Sequence, residues 1–153
     1  RSFIYEIGGL HISMGPACEG SGLLGRQRVV PKETGMKQDE RQIVEKPWGR
    51  ETLIEVNDKY VVKTLEMWAG LRCSLQYHEM KHETLYVLQG VLKVTIGDSP
   101  DSLTERILRK GDTIVILPGQ IHRMTGIEDA MYLEASTTEL EDVVRLSDDY
   151  GRS

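Results

Sequence analysis

From position 44 onward the chain reads as short runs in which apolar and polar residues alternate or apolar residues cluster, each run closed by turn-forming residues. A period of two is that of a strand with one buried face, and many such runs at short spacing mark an all-β sandwich or barrel. The pattern predicts eight strands, at 51–56, 60–68, 72–77, 84–88, 91–96, 105–108, 113–117 and 130–135. Between them stand Asn57-Asp58, Ala69-Gly70, Gly97 to Asp101, Lys110-Gly111-Asp112 and Pro118-Gly119, which supply the positive or fixed φ that chain reversal needs. One short terminal helix is expected over 138–145.

The first 35 residues follow neither the strand nor the helix period and carry Gly8-Gly9, Gly15-Pro16 and Gly20-Ser21-Gly22. They are expected to be an unstructured leader, with the folded domain at 41–152. Met36 and the polar residues after it resemble the start of a cytosolic protein, and Lys32-Glu33 can be encoded as a ribosome-binding sequence. Residues 1–35 are therefore expected to be over-extended translation before Met36, or else a disordered arm.

Composition adds limits. A chain of 153 residues with 39% hydrophobic content is the size of one domain and can bury a core without staples. Its net charge of −5 and pI near 5.4 argue against nucleic acid as a partner, yet a small anionic ligand needs only a few convergent cations. Two cysteines, Cys18 and Cys73, suit a reducing compartment, and no apolar run approaches a membrane span, so a cytoplasmic location is expected.

The chemistry lies in the spacing of a few polar residues. Gly70 is followed by Gln76-Tyr77-His78, Glu83 and Gly90, and Gly111 by Gly119 and His122. This resembles the two motifs of the cupin superfamily, which implies a single jelly-roll β-barrel. Three details depart from the usual pattern: Gln76 stands in place of His, Pro118 stands one residue before Gly119 instead of two, and Gly126 stands in place of Asn. Strand geometry supports the grouping independently, because Gln76 and His78, two residues apart, project from one face. Glu83 begins a hairpin strand whose inward face continues through Leu85 and Val87, and His122 arrives from another strand. Two imidazoles, one carboxylate and an amide oxygen suit one divalent first-row metal. Zinc is the first choice, with iron, manganese or cobalt open.

Flanking segments narrow the resemblance. Lys46-Pro47-Trp48-Gly49, Tyr60-Val61-Val62-Lys63, Ser74-Leu75-Gln76-Tyr77-His78 and Asp142-Val143-Val144-Arg145 through Asp149-Tyr150-Gly151-Arg152 look like the cupin domain of type II mannose-6-phosphate isomerases. In that family Gln replaces the first motif histidine. The resemblance implies aldose–ketose isomerisation of a sugar phosphate, from mannose 6-phosphate to fructose 6-phosphate. Lys63, on an otherwise apolar strand face, Ser74 and Lys81 are expected to bind the substrate. Lys81 stands where the type II enzymes usually carry Arg. Arg145 matches the arginine these families place over the substrate and is expected to be catalytic, with His82 as a second protonic candidate, although alternation turns it away from Glu83. Two other readings stand beside the enzyme: a metal-containing module that binds a sugar phosphate or nucleotide sugar without turnover, and an iron oxygenase in the same cage. A homodimer joined through edge strands is expected.

Overall fold

The computed structural model describes residues 42–152, together with two short strands, β1 (Glu6–Ile7) and β2 (Leu10–His11), that pair antiparallel with each other. The rest of the expected leader lies outside the described residues. Contacts divide the chain into Arg1–Thr34 and Gly35–Ser153, and every site residue belongs to the second unit.

That second unit is all-β. Its strands are β3 (Ile43–Lys46), β4 (Gly49–Val56), β5 (Val61–Met67), β6 (Leu75–Tyr77), β7 (Glu83–Gln89), β8 (Val91–Gly97), β9 (Thr104–Arg109), β10 (Thr113–Ile116), β11 (Ile121–Gly126), β12 (Ala130–Ser136) and β13 (Val144–Ser147). They form a six-stranded sheet, β10-β7-β12-β5-β4-β3, and a five-stranded sheet, β13-β6-β11-β8-β9. Every pairing is antiparallel.

Alternation sets the inner faces. On β5 the buried residues are Val61, Lys63, Leu65 and Met67, and on β12 they are Ala130, Tyr132, Glu134 and Ser136. At one end of the sheets these positions are apolar: Leu65, Met67, Val87 and Tyr132 meet Leu92, Val94 and Met124 from the facing sheet. At the other end the same alternation delivers Lys63, Glu83, Glu134 and Ser136. Burying an aliphatic side chain stabilises by roughly 1.5–3 kcal/mol, whereas desolvating a charge costs several kcal/mol. The hydrocarbon end therefore carries the stability, and the charged end exists at its expense.

Each of the eight predicted strands overlaps a strand of the structure, while β3, β11 and β13, and the short β1 and β2 within the expected leader, were not anticipated. The expected helix over 138–145 is absent. A turn at Leu140-Glu141 leads into β13, which pairs with β6. The acidic stretch from Glu139 to Asp142 looks like a helix start, but the Asp142 carboxylate is engaged by a distant loop and Arg145 pairs in register with Gln76. Among the described residues the only helical element is the 3-10 turn Pro100–Ser102, and no helix is long and apolar enough to cross a membrane.

Turn chemistry follows the sequence closely. Gly90, joining β7 to β8, has φ 76°, and a Cβ there would overlap the carbonyl of Asp129. Gly111 has φ 93°, but a Cβ there would meet nothing within 4 Å. Gly111→Ala is thus expected to cost only the left-handed backbone term, about 1 kcal/mol, and Gly90→Ala about 3 kcal/mol or more. Urea unfolding of both variants checks this; equal losses would show that the close approach at Gly90 carries no weight.

Candidate metal centre

The first motif is split between β6, its following loop and the first residue of β7. The second motif's turn is tied to it directly, since the Gly119 N–H donates to the His78 carbonyl at 2.7 Å. Gln76 stands in register between His122 on β11 and Arg145 on β13. Directly opposed residues share a sheet face, so three functional side chains lie in one row across three strands.

His78, Glu83 and His122 are all buried, and one ligand atom from each lies within 4.8 Å of the others. The Glu83 Oε1 is 3.7 Å from His78 Nε2 and 3.4 Å from His122 Nε2, and the two rings stand 5.0 Å apart. Both imidazoles are anchored through their far nitrogens. His78 Nδ1 meets the carbonyl of Asp142, and His122 Nδ1 meets the carbonyl of Gln120 at 3.0 Å. A carbonyl only accepts, so each Nδ1 carries a proton, and each Nε2 is turned inward toward Glu83. His122 Nε2 is buried with no hydrogen-bond partner. Burial holds His122 below the usual histidine range. For Glu83 burial acts in the opposite direction, but His78 and Lys81 outweigh it and hold the carboxyl well below the carboxylate range. Two imidazole nitrogens turned inward, that of His122 without a partner, beside a carboxylate are the donor set of a divalent first-row metal, and these residues fit one.

A loop clamp supports the centre. The Asp142 carboxylate accepts the backbone N–H groups of Glu79, Met80 and Lys81 at 2.9, 2.7 and 2.8 Å. Desolvation is the largest single influence and opposes its ionisation, yet those three donors together keep its carboxyl below the usual range. One residue thus fixes the loop through its side chain and His78 through its carbonyl.

Glu83 turns its second oxygen, Oε2, to Lys81 Nζ at 2.7 Å. Lys81 Nζ also meets Glu134 Oε1 at 2.6 Å, and Glu134 Oε2 lies 3.3 Å from Lys63 Nζ. Lys63 continues to Glu51 Oε2 at 3.4 Å, and Glu51 Oε1 to Lys46 Nζ at 3.7 Å. Charges alternate along this chain, which steps from β7 through β12, β5 and β4 to β3. Burial by itself would lower the Lys81 pKa, but Glu134 and Glu83 raise it above the usual lysine range. Burial and the neighbouring Glu83 push Glu134 up, against the pull of both lysines.

Lys63, Ser74 and Lys81 all line the cavity described below. Lys63 and Lys81, expected to bind substrate, spend their ammonium groups on protein carboxylates. The Ser74 hydroxyl donates to Gln76 Oε1 at 2.6 Å and so orients the amide. His82 is exposed and outside the cavity, as alternation implied, which leaves it without a part at this site. Arg145 and Gln76 line the cavity as well. Glu134, Asp142 and Tyr132 were missed. A charged residue at an inward position of 130–136 was the available signal for Glu134; none existed for Asp142.

These groups surround a cavity of about 440 Å³. Lys63, Lys81, Glu83, Glu134 and Tyr132 form its buried floor, while half-buried Lys46, Arg145 and Arg152 stand at its rim. Five basic side chains and four carboxylates line it, a positive excess in a protein of net charge −5.

Residues 33–148 match the family model described as mannose-6-phosphate isomerase C-terminal. The chain belongs to that family. Among curated relatives of this isomerase C-terminal domain, the mannose-1-phosphate guanylyltransferase of Escherichia coli K12 is 32% identical over 115 residues, covering 71% of this chain and 23% of the relative. The xanthan biosynthesis protein XanB of Xanthomonas campestris is 30% identical over 115 residues, with 72% and 24% coverage. The chain thus spans about a quarter of the length of these relatives. A solved RmlC-like cupin from Shewanella frigidimarina superposes with a TM-score of 0.61 at 16% identity, over 72% of this chain and 95% of that one. The cupin fold is shared.

Asp142→Ala is expected to lower zinc affinity by roughly 10–100-fold, the range typical of groups that orient ligands, while Asp142→Asn, which keeps an acceptor oxygen, recovers part of the loss. Competition with a chromophoric chelator measures both. Unchanged affinity in the alanine variant would mean the loop clamp does not support the centre.

Proposed function

We propose that this domain is a metal-dependent sugar-phosphate isomerase that interconverts mannose 6-phosphate and fructose 6-phosphate. The observation that carries the reading is the buried His78-Glu83-His122 cluster, with His122 Nε2 unpartnered and His78 and Glu83 lining a cavity whose lining is net positive. Membership of the isomerase C-terminal family and the polysaccharide setting of the relative named for xanthan biosynthesis agree with it.

Gln76, His78, Glu83 and His122 would hold the metal, with zinc the first choice. A bound divalent ion supplies Lewis-acid polarisation of the carbonyl and adjacent hydroxyl oxygens. The chain's own residues do the rest. Arg145, beside Gln76 in the row of functional residues, faces the substrate with a permanent positive charge. The Tyr132 hydroxyl lines the cavity, is buried and has no hydrogen-bond partner. Burial keeps it a phenol, so it offers a donor to a sugar hydroxyl. The apolar side chains of Trp48 and Leu65 close the wall and limit water.

One observation favours the second reading, binding without turnover: the two buried cavity lysines, Lys63 and Lys81, are tied into ion pairs with protein carboxylates. The deciding experiment assays mannose 6-phosphate conversion by protein loaded with zinc, cobalt or manganese. His78→Ala is expected to abolish activity, and Arg145→Ala to reduce kcat/KM by about 10²–10³-fold, the scale of losing a preorganised electrostatic contact. Sugar-phosphate binding without conversion under any of the metals would establish the second reading, and oxygen consumption an oxygenase.

A further inference from the structure

Among the described residues Tyr132 is the largest fully buried side chain, and its hydroxyl has no hydrogen-bond partner. Tyr150 shows the ordinary arrangement, its hydroxyl donating to the Arg72 carbonyl at 3.1 Å. A buried tyrosine hydroxyl left unpaired costs stability, and phenylalanine would fill the same space without that cost. The ring belongs to the apolar cluster, standing between Leu65 of β5 and Val87 of β7 in the sheet register. Yet the same residue forms part of the cavity wall. The pairing of β12 with β7 slips between Met131 and Tyr132, an irregularity of the kind that re-aims a side chain beside a site. The neighbouring wall thiol of Cys73 is already engaged, accepting the Met124 N–H at 3.2 Å and donating to the Ser74 carbonyl at 3.4 Å. The remaining source of a partner is a molecule inside the cavity.

We infer that Tyr132 determines specificity: its hydroxyl pairs with one hydroxyl of a bound sugar phosphate, so that the cavity rejects the analogue lacking that hydroxyl. That the ligand is a sugar phosphate rests on the function proposed above; that the phenol serves a polar group in the cavity does not. With the complete sugar, both hydroxyls are satisfied. With the deoxy analogue a C–H group faces the phenol, which stays unpaired in a wall otherwise made of hydrocarbon, and the loss is that of an unmade buried hydrogen bond. A wall of hydrocarbon alone draws no such distinction, because it discriminates only weakly between ligands that differ by one hydroxyl. Tyr132 thus acts on which ligands are accepted, and it is retained in the core for that reason although the core packs as well without its oxygen.

The test titrates zinc-loaded full chain by calorimetry with mannose 6-phosphate and with its analogues deoxygenated at the second, third or fourth carbon. One analogue is expected to bind roughly 10–100-fold more weakly than the parent sugar, the scale of leaving a buried hydroxyl unpaired. In Tyr132→Phe the parent weakens by a similar factor, because its own hydroxyl now faces a bare ring, and that same analogue binds within about threefold of it. The other analogues keep their ratios to the parent. Without ligand, Tyr132→Phe is expected to unfold at the same temperature as the unaltered protein or higher. A deoxy series that Tyr132→Phe leaves unchanged would overturn the inference, as would a lower unfolding temperature, which would assign the hydroxyl to the fold. Should Tyr132→Phe fail to fold, the unaltered protein still decides: parent and analogues bound within about threefold of one another would sink the idea. None of these readouts needs turnover. A protein that shows the position-specific loss but isomerises nothing refutes the isomerase and leaves the role of Tyr132 standing, whereas isomerisation with an unchanged deoxy series does the reverse.

Discussion

A carboxylate buried as deeply as that of Glu83 must have both oxygens satisfied, and the way they are divided organises everything around it. Oε1 faces two imidazole nitrogens and Oε2 faces Lys81. Lys81 is a buried cation and needs more than a shared carboxylate, which brings in Glu134. Glu134 in turn holds Lys63, and Lys63 reaches Glu51. The requirement passes from strand to strand until Glu51 and Lys46 reach partial exposure at the rim.

Such a chain is a poor device for stability. Replacing buried ion pairs with hydrocarbon is often neutral or stabilising, whereas removing one partner is costly. The inner faces show both solutions at once, with hydrocarbon at one end of the sheets and charges at the other, on the same alternating positions. Nothing in jelly-roll packing asks for charges at that end. A cavity with the proposed function would, because groups that hold a cation and receive an anion have to be preorganised before the ligand arrives.

The centre was legible because its spacing is rigid: residues 76 and 78 share a face by strand geometry, and Gly90, Gly111 and Gly119 mark turns whose backbone φ is positive. The strand at 91–96 was legible from a clean period of two, Leu92, Val94 and Ile96 alternating with Lys93 and Thr95. Strand β11 was missed because His122, Arg123 and Thr125 interrupt its apolar run, and positions on both of its faces are buried. Strand β13 was missed because the preceding acidic residues imitate a helix start, while their actual partners lie about sixty positions earlier in the chain. Lys63 was recognised as an inward cation needing an anion, but its anions are Glu51 and Glu134, on neighbouring strands that only the three-dimensional register brings together. Local pattern reveals where a side chain points; it does not reveal what waits for it across the sheet.

The Asp142 clamp has a bearing on how the domain comes together. The loop carrying His78 is complete in sequence by residue 83, yet its backbone donors and the outer nitrogen of His78 find their acceptors only at residue 142. During synthesis the ligands of the first motif therefore emerge well before the residue that holds them in place. Until β13 docks against β6, the imidazole is free to choose either tautomer and the loop has no fixed path. An ion held by these residues would thus find the complete arrangement only after almost the entire sandwich has formed.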